Sequence, residues 1–155
     1  MSEPRWLADE MLGRLARYLR FLGHDTEYVR GLSDPEIVER IRTEGRRLVT
    51  RDRLLARRVP GSILLESPFL PEQLRSIHAA APDAGYVVTF DRCTLCNGSL
   101  RPWPVPERTF WPVDIPRTTL ETGAPIFECA GCGHRYWEGS HTARIRTQIA
   151  GWLSS

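Results

Sequence analysis

The chain has no lysine: all 21 of its basic residues are arginines, set against 19 acids for a formal net charge of +2. So small an excess excludes reading a polyanionic partner from charge alone. Arginine's planar fork suits phosphate contact, but a GC-rich genome produces the same bias, so composition does not name nucleic acid. Long apolar runs are lacking too. None approaches the ~20 residues of a membrane span, and Glu3, Arg5, Asp9, Glu10 and Arg14 stand where a signal peptide would need an apolar stretch. The expectation is a cytoplasmic protein with no membrane partner. Cysteine is scarce, and the four that occur fall as two Cys-x-x-Cys pairs. In a reducing compartment that arrangement reads as metal binding and not as a disulfide framework.

What is present is one domain of ordinary size with a small appendage. Arg5 to Ala8 is a short strand candidate. After it, Met11, Leu12, Leu15, Ala16, Leu19 and Leu22 recur at helical spacing on one face, with Arg14, Arg17 and Arg20 opposite and Gly23 as a stop. Thr26 to Val29 is the second strand. Ser33-Asp34-Pro35-Glu36 has the form of a capping box and opens a helix through Ile37, Val38 and Ile41 that Gly45 ends. Strands over Arg47 to Thr50 and Ser62 to Glu66 follow, then a helix from Pro71 through Leu74, Ile77 and Ala80. Strand alternating with helix predicts an α/β fold, a parallel sheet flanked by helices.

The organising stretch is Leu48-Val49-Thr50-Arg51-Asp52-Arg53, where an apolar strand runs into an acid between two arginines. Asp9 and Asp34 stand at comparable points, and right-handed crossovers carry the ends of parallel strands to one sheet edge, where α/β sites form. We expect these three carboxylates to converge on a divalent cation. Each also has a purely structural reading. Asp9 and Asp34 sit where an N-cap or a first-turn acid stabilises a helix.

Leu7 to Arg20, Gly23-His24-Asp25, Ser33 to Ile37 and Leu48 to Asp52, together with the cysteine pairs, resemble the Mut-seven C-terminal RNase family, a PIN-like nuclease domain. The resemblance covers nearly the whole chain. It implies that Asp9, Asp34 and Asp52 hold Mg²⁺ or Mn²⁺ and activate a water against a phosphodiester of RNA. Larger PIN domains supply one more acid, for which Glu10, Glu36 and Asp25 are the candidates. Arg14, Arg17, Arg51 and Arg53 are candidates for the flanking phosphates, although a basic helix face is commonly just solvated.

After the turn at Pro82-Asp83-Ala84-Gly85 the sequence changes character. Cys93-Thr94-Leu95-Cys96-Asn97-Gly98 and Cys129-Ala130-Gly131-Cys132-Gly133 are knuckle-like turns, and Cys93, Cys96, Cys129 and Cys132 are the expected ligands of a structural Zn²⁺ in a zinc ribbon. Redox and catalytic-zinc roles are weaker alternatives, and His134 is not needed in a filled shell. The gap between the pairs is rich in proline. Trp103, Phe110, Trp111, Phe127, Tyr136 and Trp137, interleaved with Arg101, Arg108, Arg117 and Arg135, read as the module's core or as a stacking platform for single-stranded RNA. Ser140-His141-Thr142 opens a last helix through Ile145, Ile149 and Trp152.

The expected organisation is a nuclease domain over 1–82, a zinc ribbon over 86–139 and a C-terminal helix over 140–155. The expected function is a metal-dependent ribonuclease. Two alternatives stand beside it: a non-catalytic zinc-ribbon adaptor that binds RNA or the ribosome, and a toxin-type nuclease paired with an antitoxin.

Overall fold

Strands β1 (Trp6–Ala8), β2 (Thr26–Tyr28), β3 (Arg47–Thr50) and β4 (Ile63–Leu64) pair in parallel in the order β2-β1-β3-β4. The computed structural model that shows this describes residues 3–154; Met1, Ser2 and Ser155, the outermost residues of the expected nuclease domain and last helix, lie outside it. Every residue of β1 is buried, as are Leu48, Val49 and Thr50 of β3. That is the pattern of inner strands covered on both faces. Successive side chains alternate between two cores. Trp6, Ala8 and Val49 join Leu12, Leu15 and Leu19 on one face, while Leu7 and Leu48 join Ile37, Leu55 and Val59 on the other.

Helices follow the sequence signals closely. A 3-10 turn over Glu10–Leu12 leads into α1 (Gly13–Phe21). Helix α2 (Asp34–Glu44) carries the full capping box between Ser33 and Glu36, and Gly45 ends it at φ 66°. Helices α3 (Arg53–Arg58) and α4 (Leu70–Ala80) complete the layers. With α1 against one face and α2 against the other, the chain changes direction between β1 and β3, and the crevice of such a sheet opens at the carboxyl ends of those strands.

The cysteine-bearing part folds as an antiparallel sheet of β5 (Leu100–Pro102), β6 (Ile126–Cys129) and β7 (Arg135–Trp137), with a short helix α5 (Arg117–Glu121) in the proline-rich segment. Trp103, Ile115 and Ile126 make its small core. Helix α6 (Ser140–Leu153) then returns to the first unit, where Ile145 and Ile149 enter the core of α1 and α4. Arg75 on α4 donates to the Trp152 carbonyl at 3.1 Å. No helix among the described residues is long and apolar enough to cross a membrane.

Arg20 departs from the helical-wheel expectation of a solvated basic face. It is 7% exposed, with Nε donating to the Thr26 carbonyl at 2.9 Å and Nη1 to the Thr94 carbonyl at 3.0 Å. The first cysteine knuckle covers the foot of α1, so the side chain that a lone helix would leave in water becomes a bridge. Asp25 anchors the same junction at the amino ends of the strands. It accepts from Arg46 at 2.8 Å, from Arg5 at 3.2 Å and from the Asn97 side-chain amide at 2.8 Å, while Asn97 Oδ1 takes the free Thr26 amide at 2.9 Å.

Burial works to raise the Asp25 carboxyl, but hydrogen bonds from Arg46 and Asn97 outweigh it and hold the pKa at about 2, below its ordinary 3.8. A depressed acid contributes stability that is complete above the unfolded value and is lost as pH falls toward the folded one. Asp25→Asn should therefore lose about 2 kcal/mol at neutral pH. Urea unfolding followed by circular dichroism should show the gap to the parent protein narrowing between about pH 4 and pH 2. A gap that does not change with pH would contradict this account of the junction.

Candidate active site and metal centre

Asp9 leaves β1 and Asp52 follows β3, so neighbouring strands deliver two carboxylates to the same crevice. Asp34, in the first turn of α2, approaches from the opposite layer. These three with Glu10 supply the acidic wall of a cleft of about 140 Å³, whose apolar side includes Val29, Ile37 and Leu55.

Thr50 ties the arrangement together. Its hydroxyl donates to Asp9 Oδ2 and accepts from the Asp52 amide at 3.0 Å, fixing the loop after β3 relative to the acid after β1. Asp9 is 9% exposed, and its second oxygen, Oδ1, is buried without a hydrogen-bond partner. Burial pushes its carboxyl above the ordinary range; the Thr50 hydrogen bond and the Met11 amide oppose the rise, and the charges of Asp52 and Glu10 add to it. Asp9 makes no capping hydrogen bond from its side chain. Asp52 does: Oδ1 accepts from the Leu54 and Leu55 amides at 2.9 and 3.1 Å and starts α3, leaving Oδ2 without a partner among the described residues. Asp34 is half-buried, with Arg58 at 3.8 Å.

The remaining candidates separate. Glu10 lines the cleft. Glu36 does not; its carboxylate is engaged by Ser33 at the exposed start of α2. Asp25 lies at the other end of the sheet, because it precedes β2 where Asp9 follows β1. Arg51 precedes Asp52 in the chain but is not part of the cleft's lining, and its Nε is buried without a partner among the described residues. Arg53 pairs with Glu66 at 3.1 Å, and Arg14 is exposed on α1. Arg17 borders a different and larger cleft.

The four cysteines come together as expected. Among the described residues, Cys93, Cys96, Cys129 and Cys132 are the one group of three or more possible metal-ligand side chains whose donor atoms all lie within 4.8 Å of one another. The aspartates share a cleft at wider spacing. Sulfur pairs Cys93–Cys132 and Cys96–Cys129 stand 3.6 and 3.4 Å apart, near the separation of about 3.8 Å that a tetrahedral Zn–S shell requires. The Gly131 amide donates to Cys129 Sγ at 3.3 Å, and a Cβ on Gly98 would lie 2.9 Å from that same sulfur, so the turn has room only for glycine.

The sequence matches the model of the Mut7-C RNAse domain over residues 4–149, nearly its full length. The chain belongs to the Mut7-C RNase domain family. Comparison with curated proteins and with solved structures returned no match.

The donor sets of this Mut7-C RNase domain fit two kinds of metal. Four sulfurs with amide support suit Zn²⁺ and fill its shell. An orphaned buried carboxylate oxygen beside further carboxylates suits a hard cation that takes oxygen ligands and keeps some of its waters. Sequence reasoning missed two residues that organise these sites. Thr50 had a signal, a strand-end hydroxyl two residues before an acid. Tyr136 had none: its hydroxyl meets Cys93 Sγ at 3.1 Å and receives the Thr94 amide at 3.0 Å, contacts that only the folded ribbon creates.

Purified protein should carry one zinc per chain by elemental analysis, and Cys96→Ser or Cys132→Ser should lose it. Because the knuckle covers Arg20 and supplies Asn97 to the Thr26 amide and Asp25, zinc loss should also lower the melting temperature of the sheet unit. A zinc-free variant that melts with the parent would contradict that coupling.

Proposed function

We propose that this protein is a cytoplasmic, divalent-metal-dependent ribonuclease in which Asp9, Asp34 and Asp52 hold Mg²⁺ or Mn²⁺ against the scissile phosphate. The observation that carries the reading is Asp9 Oδ1, a buried carboxylate oxygen with no partner, at the head of a cleft with three further acids. A lone ionised carboxylate in that position is costly, and a cation relieves the cost. When bound, such an ion acidifies an attacking water and stabilises charge developing on the phosphate.

The chain's own groups have distinct tasks. Thr50 holds Asp9 in one orientation, so its free oxygen points to a fixed place. Asp52 uses Oδ1 on the start of α3 and keeps Oδ2 for the ligand, which makes the helix start a brace for the site. Asp34 closes the opposite wall, and Glu10 stands beside Asp9 to order or deprotonate the attacking water. Arg51, next to Asp52 in the chain, is the arginine we assign to a phosphate oxygen.

The wide spacing of the aspartates favours one second reading, an RNA-binding adaptor that keeps the nuclease shape without the activity. Two measurements separate the readings. Mn²⁺ should raise the melting temperature by several degrees through preferential binding to the folded state, and Asp9→Asn should abolish that rise. Cleavage of single-stranded RNA should stop in EDTA and fall about a hundredfold or more in Asp9→Asn and Asp52→Asn. Asparagine still caps α3, so Asp52→Asn should remain folded. Mn²⁺-insensitive melting together with intact RNA would favour the adaptor.

A further inference from the structure

A second cleft, of about 450 Å³, lies between the foot of α1, the segment 88–92, the ribbon and the start of α6. Its volume is that of a small-molecule site and about three times that of the acid cleft. Phe21, Phe90, Tyr136 and Trp137 give it an aromatic wall, and Arg17 and Arg92 give it positive charge. Glu138 is the one carboxylate of its lining, and Arg146 already engages it at 3.0 Å. Arg92 is partly committed, to Asp25 at 3.8 Å, and Arg135, though it borders the cleft, is engaged elsewhere, with Glu128 at 3.4 Å and the Trp103 ring at 4.1 Å, whereas Arg17 is exposed and has no partner among the described residues. Helix α6 begins at this cleft, where Gly139 offers no side-chain cap and the first turn holds no acid, so its leading amides remain open to an anion.

Flat rings, unpaired arginine and open amides match a base joined to a phosphate. Position points the same way. Arg14, Arg17 and Phe21 share one stripe of α1, whose head adjoins Glu10 and Met11 of the acid cleft and whose foot forms this second one. From Gly13 to Phe21 the helix rises about 12 Å, a distance that a single strand bridges within a few nucleotides.

We propose that this cleft binds one nucleotide of the single-stranded RNA whose backbone crosses the acid cleft, its base on the aromatic wall and its phosphate between Arg17 and the leading amides of α6. The assignment rests on the ribonuclease reading for the identity of the strand. A protein carrying Asp9→Asn and Asp52→Asn keeps the RNA intact, so binding can be measured apart from cleavage.

In that background, fluorescence anisotropy with a labelled oligouridylate should show Arg17→Glu weakening affinity about tenfold. The slope of log K against log salt should fall by about 0.7. The same RNA made with 4-thiouridine should photocrosslink to peptides covering 86–92 or 134–142. Unchanged affinity and slope, or crosslinks absent from both segments, overturn the proposal, and cleavage by the parent protein would then leave the ribonuclease reading standing. Crosslinks in these segments from a parent protein that cleaves nothing would uphold the cleft and sink the ribonuclease reading.

Discussion

A carboxylate buried at the end of the central strand constrains everything around it. Asp9 lines the acid cleft with Oδ2 held by Thr50, while Oδ1 is buried without a hydrogen-bond partner among the described residues. Apolar packing places it there: Trp6, Leu7 and Ala8 are fully buried, and the chain leaves the sheet at the next residue. Adjacent pairing of β1 and β3 then brings the Asp52 loop alongside, and α2 brings Asp34 across from the opposite layer. Burial, with the charges of Asp52 and Glu10 added, pushes the Asp9 carboxyl above its ordinary range. The same geometry that strains the metal-free protein is what a divalent ion would relax.

The molecule has two ends with different tasks. Acids occupy the carboxyl edge of the sheet, and the cysteine knuckle docks at the amino edge, where Arg20 and Asn97 reach across. A zinc held by these four sulfurs would have no open position, so its contribution would be to folding. Asn97 satisfies a free amide of the edge strand β2, and Arg20 reaches carbonyls that only an ordered knuckle presents. The return of α6 to α4 brings the end of the chain back to the sheet, so sheet and ribbon are joined both by the chain and by these contacts.

Much of this was legible in the amino-acid order. The Ser33–Glu36 capping box and Gly45 mark α2 to the residue, β3 runs from Arg47 to Thr50 as its apolar pattern predicts, and the cysteine spacing announces the sulfur cluster. What the sequence could not carry was the junction. A helical wheel assigns Arg20 to water because it sees one helix and not the knuckle that covers it. Asp25 resembled a possible metal ligand because strand direction, not residue type, decides which edge an acid reaches. Among the aromatics, Trp103 is core while Phe110 and Trp111 are about half exposed, a division set by the path of the proline-rich segment.

The most direct test is anomalous diffraction from crystals grown or soaked in Mn²⁺. An anomalous peak within bonding distance of Asp9 Oδ1, shared directly or through water with Asp52 and Asp34, is the predicted result. Absence of any peak beside Asp9 at saturating Mn²⁺, with Asp52 bonded only to the Leu54 and Leu55 amides, would contradict the account.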